Sequence, residues 1–519
     1  MILLASIFLG LSAQAAPLPA PQPVTGIADL HNHMFAEYAF GGAWLHGSVE
    51  GEISQALASC EVHTDPLSIL GDHARVRLPF VSRFIGKILG SSGDTGNHAD
   101  HHEGYPSFGG WPRWDTIAHQ QVWEGHLKSA HEAGLNLLIV SLVNYEVFCE
   151  LMPEENMKYA NCSDEAAVER QLEAARRFER NHEWFKIVTT AQEARDAIAR
   201  GKLAVILSIE ATHIFGDQNW RPEFEKAYQS GVRTLQMAHQ QDNRFAGVAL
   251  HNPIFQIIAW IQDFKKNGKW WEIVHPSKFG FKYQQDPKTG TKLNTAGITD
   301  EGRALVLTLM KRGMPIDLAH LSEKTVQDIE AITSAHENYP VYISHGHFRD
   351  AMNDGKFSVW EKSSSQNTLE FIKRSQGVFG LRTGPEKTKD FPSSPAPNDC
   401  QGSSKSFAQT YQYGVSQGLH VGFGSDFNGF IQQTRPRFGN KQETCGAETD
   451  PELRTKQQMA QKNPLHKRFD QSGLGDMSQL TDLMTEIKSF GVNTQELESS
   501  AGAYISMWER AEKIAKSIQ

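Results

Sequence analysis

Eight apolar runs, spread along almost the whole sequence, constrain the fold of this chain most strongly. Each run is nearly continuous and rich in Val, Ile and Leu, which is typical of a strand buried on both faces of a parallel sheet. The runs are residues 24–34, 135–144, 203–210, 232–239, 314–320, 340–346, 376–383 and 420–427. Most are separated by segments predicted to be helices, at 164–181, 190–200, 221–230, 299–312, 322–334 and 368–375. This alternation predicts an α/β fold, a (β/α)8 barrel of the TIM type, with its chemistry at the carboxyl ends of the strands.

Two connections are too long for simple crossovers and are predicted to be loops inserted on the catalytic face. They lie near residues 35–134 and 240–297. Long loops on this face of a barrel commonly form lids or substrate walls. The first contains His98, His101 and His102. These histidines could bind a metal ion, but a solvated polar loop is the favoured interpretation.

Composition limits the classes of partner. The 519 residues carry a formal net charge of -9, and 39% of them are hydrophobic. The chain lacks the basic character that nucleic-acid binding requires, so we expect a small-molecule substrate and no nucleic-acid partner. The length fits one elaborated barrel. A homodimer is compatible with the sequence.

The first residues resemble an export signal. Residues 1–15 contain an apolar stretch from Ile2 to Leu11, followed by the small residues Ala13 and Ala15, although a basic start is missing. Residues 16–24, with four prolines, are predicted to be a tether, and residues 25–519 the barrel domain. No later run approaches the roughly 18 apolar residues of a membrane span. We therefore predict a secreted or periplasmic protein without a transmembrane segment.

Five cysteines suit an exported protein. Cys149 and Cys162 are close enough in sequence to close a small loop, while Cys400 and Cys445 flank the eighth apolar run. Two disulfides with Cys60 left over are therefore expected, although other pairings and a fully reduced chain remain open.

Metal-ligating side chains recur where the predicted strands end. His31 and His33 are two residues apart, so both point to one side of the first strand and can reach the same ion. The other strand-end residues are Glu210, His239, His320, His345 and Asp426. Imidazole and carboxylate groups are ligands that suit zinc, and this set is large enough for two ions. Each residue alone could instead satisfy a backbone hydrogen bond or shape a turn, but the coincidence at six strand ends disfavours that interpretation.

Short segments around these residues form an ordered series. They are residues 29–33 (DLHNH), 208–211 (SIEA), 231–239, 298–302 (ITDEG), 316–322 (IDLAHLS), 340–345 (PVYISH) and 422–429 (GFGSDFNG), followed by 480–491 and 500–509. In this order they resemble the membrane dipeptidase family of metallopeptidases, often called renal dipeptidase-like, within the amidohydrolase superfamily. The resemblance covers most of the chain from Ala28 to about Glu512, apart from the two insertions.

The resemblance implies a role for each strand-end residue. His31 and the residue at position 33 would hold a first zinc ion, and Glu210 would bridge to a second one. His320 and His345 would hold that second ion. His239 would contact the substrate or polarise its carbonyl group, and Asp426 would be the general acid/base.

Some positions depart from the family pattern. The family usually has Asp where His33 stands, so this site is less negative by one charge. It also has an arginine about eleven residues after the position of His345, which anchors the substrate carboxylate, and here Lys356 occupies that place. Arg349 is nearer in sequence and could substitute. Because a lysine lacks the bidentate fork of an arginine, this exchange weakens the prediction of ordinary dipeptide recognition.

Together these features predict a secreted zinc-dependent dipeptidase that hydrolyses dipeptides or closely related small amides through a metal-bound hydroxide. The alternative is a binuclear-metal amidohydrolase acting on an N-acyl amino acid, an ester or a lactone, which Lys356 and the large insertions favour. A barrel that binds a ligand without catalysis is a third interpretation. It is disfavoured because every expected catalytic position is filled.

Overall fold

The computed structural model describes residues 24–59, 104–106, 108, 111–150, 152, 154, 157–216, 218–250, 283–353, 360–438, 445 and 469–518. The signal-like segment 1–15, nearly all of the tether, the histidine cluster near residue 100, Cys60 and Lys356 lie outside these residues. The predicted limits of the signal, the tether and the barrel domain therefore stay predictions. Within the described residues, no helix is long and apolar enough to cross a membrane.

Parallel strands form one curled sheet at the centre of the molecule. The strands of the described residues are β1 (Ile27–Asn32), β2 (Leu135–Asn144), β3 (Phe185–Ile187), β4 (Leu203–Ala211), β5 (Val232–Leu235), β6 (Tyr283–Gln285), β7 (Lys292–Asn294), β8 (Ile316–Asp317), β9 (Val341–Gly346), β10 (Val378–Leu381) and β11 (His420–Phe423). The order in the sheet is β4-β2-β1-β11-β10-β9-β8, and both β3 and β5 pair with β4. A parallel bridge between Gln236 and Asp317 joins the β5 side to the β8 side. The predicted (β/α)8 barrel is confirmed.

Helices connect the strands and cover the sheet. They are α1 (Ile53–Ala56), α2 (Glu124–Glu132), α3 (Glu146–Glu150), α4 (Asp164–Asn181), α5 (Ala191–Ala199), α6 (Trp220–Gln229), α7 (Asp300–Lys311), α8 (Glu323–Ser334), α9 (Gln366–Arg374), α10 (Ser404–Ser416), α11 (Phe469–Ser472), α12 (Leu480–Ser489), α13 (Gln495–Glu498) and α14 (Ser500–Ala515). Helices α4 to α9 correspond to the six helical segments predicted from sequence.

Several helices begin at a residue whose side chain satisfies a free backbone N–H. Ser163 caps α4, Thr190 caps α5, Thr299 caps α7 and Ser322 caps α8. In each case the hydroxyl oxygen accepts a hydrogen bond from the N–H three residues later, a type of cap worth about 1 kcal/mol. These caps explain why the helix starts could be predicted closely.

The core lies on both faces of the sheet. Strands β2 and β4 are buried along nearly their whole length, because one face points into the barrel and the other packs under helices. The amino-terminal end of β1 is tied to α14, where the Ser500 hydroxyl accepts a hydrogen bond of 2.7 Å from the Ala28 N–H. The polar residues named from the sequence lie at the opposite end of the barrel, where the strands have their carboxyl ends.

Several predicted strands are too long, and some elements were not predicted. The run 232–239 ends as a strand at Leu235, and the run 314–320 contributes only Ile316 and Asp317. His239 and His320 therefore follow their strands in irregular backbone. Strand β3, the β6/β7 hairpin and helix α10 are additions to the sequence-based scheme.

Both expected disulfides are present. Cys149 is joined to Cys162 with a Cα–Cα distance of 5.4 Å, and Cys400 is joined to Cys445 with a distance of 5.5 Å. The first links α3 to the segment that enters α4. It therefore fixes the loop that follows β2 at the carboxyl end of the barrel.

Candidate metal centre

Two histidines at the end of β1 face the centre of the barrel opening. The Nε2 atoms of His31 and His33 lie 3.2 Å apart. Ser141 on β2 orients both rings, because its hydroxyl oxygen is 3.0 Å from His31 Nδ1 and its carbonyl oxygen is 3.1 Å from His33 Nδ1. A carbonyl oxygen only accepts, so the neutral His33 ring carries its proton on Nδ1. Its Nε2 lone pair is then directed at the centre.

Glu210, near the end of β4, divides its carboxylate between two groups of histidines. Its Oε2 atom lies 3.2 Å from His31 Nε2 and 3.1 Å from His33 Nε2. Its Oε1 atom lies 3.0 Å from His320 Nε2 and 3.4 Å from His239 Nε2. One carboxylate oxygen therefore faces each group of histidines.

His320 and His345 belong to the second group. Their Nε2 atoms are 3.0 Å apart, and the His345 ring stacks on the His31 ring at a centroid distance of 3.9 Å. The Ser344 hydroxyl lies 3.1 Å from His345 Nδ1, so this ring also presents Nε2. His320 has a φ of +65°, a left-handed conformation that is uncommon for a residue with a side chain.

Asp426 follows β11 and closes the centre on its other side. Its Oδ1 atom is 3.1 Å from His33 Nε2 and 3.6 Å from His31 Nε2. Its Oδ2 atom is 3.5 Å from the Arg382 guanidinium. Asp426 also has a left-handed backbone, with a φ of +56°. The carboxylate therefore faces the imidazoles with one oxygen and a cation with the other.

The donor set fits divalent cations. Three overlapping triplets have ligand atoms within 4.8 Å of one another: His31, His33 and Asp426; His31, Glu210 and His345; and Glu210, His239 and His320. Ligands 2.0–2.1 Å from a tetrahedral zinc ion are about 3.3 Å from each other. The separations of 3.0–3.6 Å are close to this value. The buried Glu210 Oε2 atom accepts no hydrogen bond from the described residues, which also suits a cation at this point.

The buried carboxylates favour positive charge between the imidazoles. Burial disfavours the charged form of His33, but Glu210 and Asp426 outweigh burial and raise the pKa of His33 to about 10. Burial likewise opposes ionisation of Glu210, yet His239, His31 and His33 hold its pKa well below the ordinary value. The Glu210 carboxylate is therefore ionised at neutral pH, and a proton or a metal ion must balance its charge.

Of the two predicted substrate anchors, Arg349 lies in the described part of the chain. It is buried, and its Nη2 atom pairs with Glu323 Oε1 at 2.5 Å and donates to the carbonyl oxygen of Glu361 at 3.2 Å. These contacts hold the guanidinium within the protein. Substrate binding by Arg349 and by Lys356 stays a prediction.

Two positively charged side chains beside the centre, those of Arg382 and Lys362, were not predicted from the sequence. Arg382 directly follows β10, and its guanidinium lies 3.5 Å from Asp426 and 3.8 Å from Glu386. Lys362 lies in the loop after β9 and lines a small cavity together with centre residues. The position of Arg382 at the end of the seventh apolar run was a usable signal. No local pattern marks Lys362.

A further group of potential ligands, separate from these residues, consists of Glu146, Asp164 and His213. Asp164 is buried, and its Oδ2 atom accepts a hydrogen bond of 2.7 Å from the His213 N–H. Burial and the neighbouring Glu146 raise the pKa of Asp164 to about 7.

Comparison with known proteins identifies a family. The sequence model of the membrane dipeptidase family, peptidase family M19, matches residues 135–261 and 277–436. A curated relative, an uncharacterized protein of the PQQ-III 3' region of Acinetobacter calcoaceticus, is 22% identical over 215 residues, which are 41% of this chain and 52% of that protein. The match thus spans about half the length of that relative.

Similar solved structures include three peptidases or dipeptidases. A dipeptidase of family M19 is 16% identical, with a TM-score of 0.46, over 74% of this chain and 88% of its own. A Rhodobacter sphaeroides metallo peptidase, solved with a phosphinate mimic of L-Ala-D-Ala, is 16% identical, with a TM-score of 0.45, over 74% and 89%. The probable dipeptidase PvdM of Pseudomonas aeruginosa is 15% identical, with a TM-score of 0.49, over 76% and 89%.

Proposed function

Because this chain belongs to the membrane dipeptidase family, peptidase family M19, we propose that it is a metal-dependent hydrolase that cleaves the amide bond of dipeptides or closely related small amides. The main observation in support of the proposal is the position of the Glu210 carboxylate between two groups of histidines. Its two oxygens face different histidine groups at 3.0–3.4 Å. This arrangement suits a pair of cations better than a single one.

Five residues have a proposed ligand role. His31 and His33 would hold one ion, His320 and His345 would hold the other, and Glu210 would contribute to both sites. Imidazole and carboxylate donors favour zinc, so we infer two Zn²⁺ ions per chain. When bound, such ions make water more acidic and polarise a substrate carbonyl group.

His239 and Asp426 have the proposed catalytic roles. Burial lowers the pKa of His239 to about 4, with Glu210 opposing the shift, so the ring is neutral at physiological pH. A neutral imidazole contacts the substrate carbonyl group through a hydrogen bond instead of a charge. Asp426 takes the proton of the attacking water and returns it to the leaving nitrogen, which departs poorly as an anion.

A secreted or periplasmic location accompanies this proposal. The two disulfides support it, since such bonds persist mainly in oxidising compartments. The signal-like sequence of residues 1–15 points the same way.

One observation favours a second candidate function, hydrolysis of an N-acyl amino acid, an ester or a lactone. Arg349, one of the two expected anchors for a dipeptide carboxylate, is already paired with Glu323. A site without an arginine fork for that carboxylate would accept a wider range of carbonyl substrates.

The test is a substrate panel combined with metal analysis. Zinc-loaded protein should hydrolyse dipeptides, lose this activity to a chelator and regain it with zinc. Glu210→Gln should lose both bound metal and activity, whereas Glu173→Gln, at an exposed position on α4, should keep both. Hydrolysis of lactones or N-acyl amino acids without dipeptides would replace the first proposal with the second. Failure to bind zinc at all would contradict both.

A further inference from the structure

A second group of potential metal ligands lies apart from the candidate metal centre. Its members are Glu146, Asp164 and His213, whose ligand atoms lie within 4.8 Å of one another. They come from the start of α3, the start of α4 and the loop after β4. The group shares no residue with the candidate centre, and the proposed reaction uses none of its members. Its chemistry therefore calls for a separate explanation.

The group combines one imidazole with two carboxylates. The Glu146 Oε2 atom is 3.5 Å from His213 Nδ1. The Asp164 carboxylate accepts hydrogen bonds from the His213 N–H at 2.7 Å and from the Asn144 amide at 2.8 Å, one on each oxygen. Each oxygen keeps a second lone pair that a cation can use. Burial and the charge of Glu146 raise the pKa of Asp164 to about 7, so a cation between the two carboxylates would relieve their repulsion.

Gln241 lies against the other nitrogen of the His213 ring. Its side chain is buried, and its amide nitrogen is 3.3 Å from His213 Nε2. Its Oε1 atom is also buried and accepts no hydrogen bond from the described residues. Rotation of the amide would bring this oxygen to Nε2, where it accepts a hydrogen bond from the ring N–H. The Nδ1 lone pair would then face Glu146, as in a histidine that binds a metal through one nitrogen and donates through the other.

A disulfide holds two of the potential ligands near each other. The bond between Cys149 and Cys162 joins α3 to the segment that enters α4. Glu146 lies three residues before Cys149, and Asp164 lies two residues after Cys162. The two carboxylates are therefore brought together by the fold before any ion binds, which lowers the cost of ordering them around one.

The donor set selects the class of ion. Ca²⁺ and Mg²⁺ are bound mainly by oxygen atoms, whereas an imidazole with two carboxylates suits a transition metal such as Zn²⁺. The side chains of His213 and Glu146 keep 18% and 12% of their surface exposed, so a hydrated ion can reach them. Three protein ligands leave a coordination position that water can fill.

We propose that Glu146, Asp164 and His213 form a further Zn²⁺ site with a structural role, outside the candidate metal centre. A bound ion would join α3, α4 and the loop after β4 at the carboxyl end of the barrel. His213 follows Glu210 by three residues, so the ion would also restrain the loop that leaves the candidate centre. The inference does not depend on the proposed function, because no ligand of this site takes part in hydrolysis.

The first test counts zinc in the full, disulfide-bonded chain at a free Zn²⁺ concentration that just saturates the wild type. Glu146→Gln keeps the size of the side chain but removes its charge, and it should bind one ion fewer per chain. Glu150→Gln, at an exposed position on the same helix, is the matched control and should bind as many ions as the wild type. Equal zinc content in Glu146→Gln and the wild type would overturn the proposal.

A titration of the same site tests the contact with Gln241. Gln241→Leu removes the acceptor for His213 Nε2 and should weaken zinc binding at this site by about 10- to 100-fold. Gln241→Glu keeps an acceptor at this position and should retain the affinity. Unchanged zinc affinity in Gln241→Leu would contradict binding through His213 Nδ1.

Anomalous diffraction at the zinc edge, from wild-type crystals soaked in Zn²⁺, locates the ion without any substitution. A peak shared by His213 Nδ1 and the carboxylates of Glu146 and Asp164 is expected. Absence of this peak would overturn the proposal, and a peak on His213 alone would mark an adventitious ion and overturn it as well. A peak at this site beside an empty candidate centre would contradict the proposed function and support this inference, so the two can fail separately.

Discussion

The hydroxyl of Ser141 should control how tightly the centre binds metal, although it touches no metal position itself. It lies 3.0 Å from His31 Nδ1. When His31 binds a metal ion through Nε2, its Nδ1 carries the ring proton. The Nδ1–H group then donates a hydrogen bond to this hydroxyl. Ser141→Ala removes the acceptor and keeps the backbone carbonyl that orients His33. The substitution therefore removes the hydrogen bond between Ser141 and His31 and leaves the one between Ser141 and His33 in place.

The size of the effect follows from what surrounds His31. A buried N–H left without an acceptor costs about 1–3 kcal/mol, and loss of such an outer contact typically weakens metal binding by about 10- to 100-fold. The Gln236 amide nitrogen is 3.5 Å from the same Nδ1 atom. The Gln236 oxygen has no hydrogen-bond donor in the described part of the molecule, so rotation of this amide would offer a partial replacement. We therefore expect a loss of about 10-fold, at the low end of the range.

The assay is competition for zinc against a chromogenic chelator. The Ser141→Ala variant should need about ten times more free zinc than the wild type to half-fill the site that contains His31 and His33. Ser375→Ala is the control, because the hydroxyl of this buried serine donates to the carbonyl oxygens of Val341, at the opposite end of β9, and of Ile372 in α9. It should lower stability without changing zinc affinity. Equal zinc affinity in Ser141→Ala and wild type, with the fold intact, would refute the reasoning that Ser141 prepares His31 for metal.

Three further predictions follow from other parts of the structure. Asp426→Asn should reduce kcat by about 10²- to 10⁴-fold with bound zinc retained; loss of zinc in a metal assay would instead make Asp426 primarily a ligand. Replacing Cys149 and Cys162 by alanine opens a loop of 13 residues and should lower the free energy of unfolding by about 3 kcal/mol in denaturant titrations. The pKa of Asp164 in the folded protein is raised to about 7, so the folded state holds this proton more tightly than the unfolded chain does. The free energy of unfolding should therefore fall as the pH rises from about 4 to 7. Asp164→Asn should flatten that part of the stability curve, and an unchanged slope would contradict this assignment.

The barrel could be predicted from the sequence because its strands are regular and apolar. The runs at β2 and β4 are long, nearly continuous and rich in Leu, Val and Ile, which is typical of strands buried on both faces of a parallel sheet. Helix α10 was missed because its segment, SKSFAQTYQYGVS, is rich in residues of low helix propensity. Its buried Phe407 and Tyr411 show that tertiary packing, not local preference, stabilises it. Strand β3 has only three residues, too few for a periodic signal.

The residues of the candidate centre could be named from the sequence because each lies in a strand or within a few residues of its carboxyl end. His31, Glu210 and His345 lie within or next to regular strands, so topology alone brings their positions to one end of the barrel. Lys362 and Arg349 depend instead on a loop whose path is set by backbone hydrogen bonds to Glu361. Such contacts join segments that are distant in sequence and leave no local pattern. The sequence therefore indicated which potential metal-ligating residues lie together, whereas it gave no local signal for Lys362.

The motif residue Asp29 shows how the two ends of the chain determine the centre together. Its Oδ1 atom accepts a hydrogen bond of 2.9 Å from the Ser425 N–H, and its Oδ2 atom accepts one of 2.6 Å from the Ser425 hydroxyl. The next residue, Asp426, donates its N–H to the His31 carbonyl oxygen at 2.8 Å. These three bonds hold Asp426 in its left-handed conformation, whose cost of about 1–3 kcal/mol needs such support. Asp29 thus acts as a brace between β1 and β11, and the separation between the His31 and Asp426 side chains depends on it.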